Sequence, residues 1–295
     1  MKSKFETFPT GNIFSGYAPE GEYVRDQVLQ NQYDTISFGG IGWDNVKRID
    51  LSYLKDLKSI RDLTIVHDND TIITGFEALY SLPNLRRINL MWFNDAFQTE
   101  NNEVFDISQC KNLTEFIGAL HKNIINFEKC ERLEHIQIRH FSDENFSRLS
   151  LLKNLKKVRF AQFLCKTAKG LENLSNLEEI WLQMGSKLED ISDVSNCENL
   201  KILNIESCRK LKDIQLKSKT LQKVIFLQKI QSIDFVKDCP KLDFLQFKEL
   251  IDGNLQPAIE AKLKEVYFGT KKPNYTHSNK ELTAILNELQ KKITL

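Results

Sequence analysis

The chain has 295 residues, 41% of them hydrophobic, enough to fill a continuous core. Its 41 basic and 40 acidic residues leave a formal charge of +1, which excludes the basic excess of a general nucleic-acid binder. No run approaches about 18 apolar residues, so an ordinary membrane-spanning helix is excluded as well.

In chain order, residues 1–32 come first. They carry Pro9, Gly11, Gly16, Pro19 and Gly21 among the aromatics Phe5, Phe8, Phe14 and Tyr17, and read as an N-terminal cap. The opening MKSKFETFPTGN lacks the apolar stretch of a signal peptide, so a cytoplasmic location is expected. Gly39, Gly40 and Gly42 lack the Lys-Ser/Thr of a phosphate loop and read as a turn leading to Trp43.

From residue 33 to 270 a pattern returns about every 21–22 residues. Its clearest copy runs Ile191, Val194, Cys197, Leu200, Leu203, Ile205, Cys208, Leu211, a beat of three leading into a beat of two. The opening apolar residue of each copy is Ile60, Leu85, Leu113, Leu133, Leu155, Leu177, Leu200, Leu221, Leu242 or Leu263. Tyr33, Ile36 and Phe38 form an earlier, degenerate copy. Alternation after each opening residue predicts a short strand with its apolar side chains on one face. The threefold beat upstream suits a 3₁₀ turn, where equivalent side chains recur every third residue. A single such repeat cannot bury its own apolar face, so stacking is required. The polar stretch Asn94–Val104 interrupts the rhythm and is expected to be a mobile surface loop. Residues 271–295 close the chain. Ser278 and Glu281 make a capping box, and Leu282, Ile285, Leu286 and Leu289 a helical stripe, which predicts a capping helix from about 279 to 292.

The form L-x-x-L-x-x-L-x-x-L-x-x-L-x-L resembles the short bacterial leucine-rich repeat of internalin-like proteins, across roughly residues 33–270. The resemblance implies an α/β solenoid, a right-handed arc with a parallel concave sheet and short 3₁₀ or irregular convex segments. One departure is that the family's asparagine, three residues after the strand's last apolar position, is mostly absent. Here those positions hold Phe141, Phe163, Gly185, Cys208 and Leu250, among others, so the turns must satisfy their backbone groups differently.

Catalytic or metal chemistry finds little support. Cys110, Cys130, Cys197 and Cys239 all fall three residues before an opening leucine, a core position, and are expected to be buried hydrophobes. His67, His121, His135, His140 and His277 have no ligand-spaced partners, so no metal, cofactor or enzymatic activity is expected.

The residues between the buried strand positions point outward and are the candidate binding residues. In the N-terminal half they include Arg87, Met91 and His135. Arg139, Lys157 and Arg159 read as a small basic cluster, expected to meet an acidic patch. Trp181, Ile202, Ile225, Leu227, Phe244 and Tyr267 read as an apolar and aromatic strip. Exposed aromatics beside arginine have the composition of protein-binding hot spots. The expected function is therefore a monomeric, non-enzymatic module docking another protein on its concave face. Analogy with solitary repeat proteins suggests a bacterial immunity-type protein facing a toxin domain. A surface adhesin would need an export signal. A ubiquitin ligase-like effector would need a catalytic domain with a reactive cysteine.

Overall fold

The computed structural model describes residues 4–8, 11–16, 21–38, 47–67, 71–92, 98–270 and 272–293, and only the backbone of 4–8, 11–16, 67, 91, 92 and 293. The expected turn at Gly39–Trp43 lies outside the described residues. By internal packing the chain divides into two compact units, Met1–Arg139 and His140–Leu295.

The first unit contains β1 (Lys4–Phe8), β2 (Gly11–Gly16), α1 (Gly21–Asn31), β3 (Thr35–Phe38), β4 (Arg48–Asp50), β5 (Asp62–His67) and β6 (Ile72–Thr74). It continues through α2 (Glu77–Tyr80), β7 (Arg87–Trp92), β8 (Phe105–Asp106), β9 (Glu115–Ala119), β10 (Ile124–Ile125) and β11 (His135–Arg139). Its main sheet runs β1-β2-β3-β5-β7-β9-β11; β1 and β2 are antiparallel and the later pairs parallel. Two small parallel ladders, β4–β6 and β8–β10, lie on the return segments. In α1, Val24 and Val28 sit one turn apart and are buried, while Arg25 Nη1 donates to the Tyr53 carbonyl at 2.9 Å.

The second unit holds a wholly parallel sheet of β12 (Lys157–Ala161), β13 (Glu179–Gln183), β14 (Ile202–Glu206), β15 (Lys223–Ile230), β16 (Phe244–Leu250) and β17 (Glu265–Phe268), in chain order. Helix α3 (Gln256–Glu260) precedes β17, and α4 (Asn279–Ile293) packs against both with Leu282 and Leu286 buried. The capping box at its start is formed, with Ser278 N–H donating to Glu281 Oε2 at 2.7 Å.

The alternating residues do what their period requires. Leu63 and Ile65, Ile136 and Ile138, Leu203 and Ile205 are all 2% exposed or less, and every opening residue from Ile60 to Leu263 is buried. Register is in step: Ile180 faces Leu203 and Leu182 faces Ile205 across β13 and β14. Return segments repeat one device, an Asp whose carboxylate accepts the N–H two residues on. Asp50 accepts from Ser52, Asp106 from Ser108 and Asp190 from Ser192, each opening a 3₁₀ turn.

The missing asparagine position is replaced in two ways. A different asparagine, just before the opening leucine, ties one repeat to the repeat before it. Asn84 Nδ2 donates to Lys58 O (2.7 Å), Asn112 to Pro83 O (2.6 Å), Asn176 to Lys153 O (2.9 Å) and Asn199 to Ser175 O (2.8 Å). The turns after the strands are held by hydrophobic or local polar groups instead. Phe141 and Phe163 are buried and pack with Phe146 and Phe160 at centroid distances of 5.1–6.5 Å. A Cβ on Gly185 would run into the Phe163 ring, so glycine follows from the phenylalanine below it. Further on, the buried alternation of β15 continues past Phe226 to Gln228, whose side chain accepts from Cys208 N–H at 2.8 Å and donates to Leu211 O at 3.0 Å.

One expectation is corrected. Of the stretch read as a mobile loop, residues 93–97 lie outside the described residues, but 98–104 is tied down. Gln98 exchanges backbone bonds with Thr71 and Ile73, and the Glu103 carboxylate accepts the N–H groups of Gly75 and Phe76 at 3.0 Å. Backbone and carboxylate bonds need no apolar beat, so the polar sequence concealed them.

Candidate functional site

Each parallel strand of the second unit presents its odd side chains away from the core, and the register aligns them into rows. The central row is Arg159, Trp181, Asn204, Ile225, Gln246 and Tyr267. A flanking row is Lys157, Glu179, Ile202, Lys223, Phe244 and Glu265, and a third contains Gln183, Glu206 and Leu227. The outward candidates Lys157, Arg159, Trp181, Ile202, Ile225, Leu227, Phe244 and Tyr267 are therefore brought onto one face of one unit.

The charges on this face are less free than the sequence suggests. Glu179 lies between Lys157 and Arg159, with ion-pair distances of 3.5 and 3.3 Å, and is only 8% exposed. Lys157 and Arg159 share this one carboxylate, which offsets half of their combined charge. The Arg159 guanidinium also lies over the Trp181 ring, 4.2 Å from its centroid. This arrangement fixes a planar cation on an aromatic face, which Arg suits and Lys does not. Sequence reasoning named Lys157, Arg159 and Trp181 but not Glu179, whose partners sit a full repeat away in the chain.

Beyond this cluster the face is apolar and aromatic. Lys223 Nζ sits 4.4 Å from the Phe244 ring centroid, and Phe244 meets Tyr267 at 5.4 Å. Tyr267 is 52% exposed and Leu227 36%. The Tyr267 hydroxyl donates to Glu265 at 2.9 Å, and this hydrogen bond, with the charge of the carboxylate, raises its pKa.

The first unit carries the remaining candidates. Arg87, Glu115 and His135 align with Asp62 in one row, and Arg87 Nε lies 3.4 Å from Glu115. Burial, opposed by the nearby Arg87 charge, raises the pKa of the Asp62 carboxyl. Arg139 ends β11 and is half-buried. The Met91 side chain lies outside the described residues.

All six cysteines are unbridged and buried. Burial pushes the thiols of Cys130, Cys165 and Cys197 up to about 12 and those of Cys208 and Cys239 up to about 11, the reverse of an activated nucleophile. Among the described residues no group of three or more His, Cys, Asp or Glu is arranged to hold a metal ion.

No family model matches the sequence, and no curated protein matches it. Solved structures do. An internalin, InlF, from Listeria monocytogenes is similar over 86% of this chain and 69% of its own, with a TM-score of 0.50 and 17% identity. Internalin C2 of the same organism covers 85% of this chain and 91% of its own at TM-score 0.39 and 14% identity. A leucine-rich repeat protein of Leptospira interrogans covers 90% and 97% at TM-score 0.32 and 15% identity. The stacked parallel strands, the buried repeat positions and the likeness to InlF make the fold of this chain the α/β leucine-rich repeat fold.

Proposed function

We propose that the chain is a protein-binding repeat module whose docking surface is the outward face of β12–β17. One observation carries the reading: register aligns Trp181, Ile225, Phe244, Leu227 and Tyr267 with an Arg159–Glu179–Lys157 network on a single exposed face. Aromatic and aliphatic groups rimmed by a held arginine are what interface centres are made of. The action is stoichiometric docking rather than turnover. A narrower version takes the partner to be a toxin domain with an acidic patch, neutralised in the cytoplasm by one copy of this chain; it is supported by fold-level analogy alone.

The test is affinity capture of the partner from the source cells, followed by binding measurements on the purified pair. Trp181→Ala should weaken binding by about 2 kcal/mol or more, as hot-spot aromatics do, with thermal stability nearly unchanged. Arg159→Glu should slow association, most clearly at low salt, where screening is weakest. Parent-like binding by both variants would remove this face as the docking surface. A partner that is harmless when expressed alone would remove the toxin version and leave the docking face intact.

A further inference from the structure

The proposed face contains two polar atoms that the fold encloses without pairing. Trp181 Nε1 is buried and has no acceptor, and Asn204 Oδ1 is buried and has no donor. Asn204 is only 4% exposed, although its strand position is an outward one. The two residues are cross-strand neighbours in register on β13 and β14. An unpaired donor thus stands beside an unpaired acceptor, a costly arrangement that folding alone does not require.

We propose that Trp181 and Asn204 form a subsite for a primary amide group, contributed by an Asn or Gln side chain of the docked protein. The inference rests on the docking reading above and names the group that this part of the face recognises. A primary amide presents its carbonyl acceptor and a syn N–H donor along one edge, so a single group satisfies both atoms, whereas a trans backbone amide points the two in opposite directions. A carboxylate would pair with the indole N–H but face the Asn204 oxygen with another acceptor. An ammonium would pair with Asn204 and leave the indole unmatched. Arg159 lies over the Trp181 side of this pair: its guanidinium rests on the indole, is held by a 3.3 Å contact to Glu179, and its side chain is 44% exposed, so it can swing outward. Its opening would admit the amide without moving the strands.

The probe is acetamide, titrated into the ¹⁵N-labelled full chain, with sodium acetate at matched ionic strength as control. The Trp181 indole N–H resonance is assigned by its loss in Trp181→Phe. Acetamide should shift that resonance downfield and saturably, more than those of Trp43 and Trp92, and acetate should not. Asn204→Leu should abolish the saturable shift while leaving the thermal midpoint equal or higher, because it removes an unpaired buried polar atom. A Trp181 shift no larger than those of the other two indoles, an equal response to acetate, or a lowered midpoint in Asn204→Leu would each overturn the subsite. Partner binding is measured separately. If the amide shift persists but Trp181→Ala binds the partner normally, the docking reading has failed and the subsite has not.

Discussion

At the residue scale, burial decides most outcomes. Leu203 is fully buried in the regular part of the second unit, so Leu203→Ala should cost about 2–5 kcal/mol through lost transfer energy and a residual cavity. Chemical denaturation reads this directly, and a loss below about 0.5 kcal/mol would place Leu203 among ordinary surface positions. Asp62 behaves differently because burial raises its folded pKa above the unfolded value near about 3.9. The folded state then holds its proton more tightly, so stability falls as pH rises through that window. Asp62→Asn should be more stable than the parent at neutral pH, with the difference closing below about pH 4. A variant equally stable, or less stable, at neutral pH would show that the Arg87 attraction wins. The buried positions were legible in the sequence because period alone assigns them. Glu179 and Gln228 were not, because each acts on residues about twenty positions away and alternation says nothing of such pairings.

At the element scale, the strands and their register followed from the L-x-x-L-x-L spacing, and α4 from its capping box and stripe. The N-terminal hairpin and α1 did not, since residues 1–32 offer glycine, proline and scattered aromatics without a sustained period. The inter-repeat asparagines were missed because they stand one residue before the opening leucine, where an exposed polar residue looks ordinary. The turns give a sharper test. Gly185 abuts the Phe163 ring within a packed aromatic group, so Gly185→Ala should cost about 1–3 kcal/mol by overpacking. In a Phe163→Leu background the same alanine should cost distinctly less. Urea denaturation of the double-mutant cycle measures the coupling, and additive effects would show that the ring does not dictate the glycine.

At the scale of the whole molecule, the repeat period pointed to a fold without pointing to a partner. That asymmetry is physical: stacking demands apolar residues at fixed spacing, whereas the outward positions are free to vary. The outward strip was legible as composition, yet its charge balance and its unpaired Trp181–Asn204 pair needed the register. The central claim is that a protein docks on the outward face of β12–β17, and site-directed photocrosslinking tests it most directly. A photoreactive amino acid is placed at Leu227 on that face, and in a second variant at Leu151, which is 63% exposed on a return segment. The docking account predicts a discrete adduct from position 227 in source-cell extract, lost when Trp181→Ala is added, and none from position 151. An adduct from position 151 alone, or one from position 227 indifferent to Trp181→Ala, would contradict it.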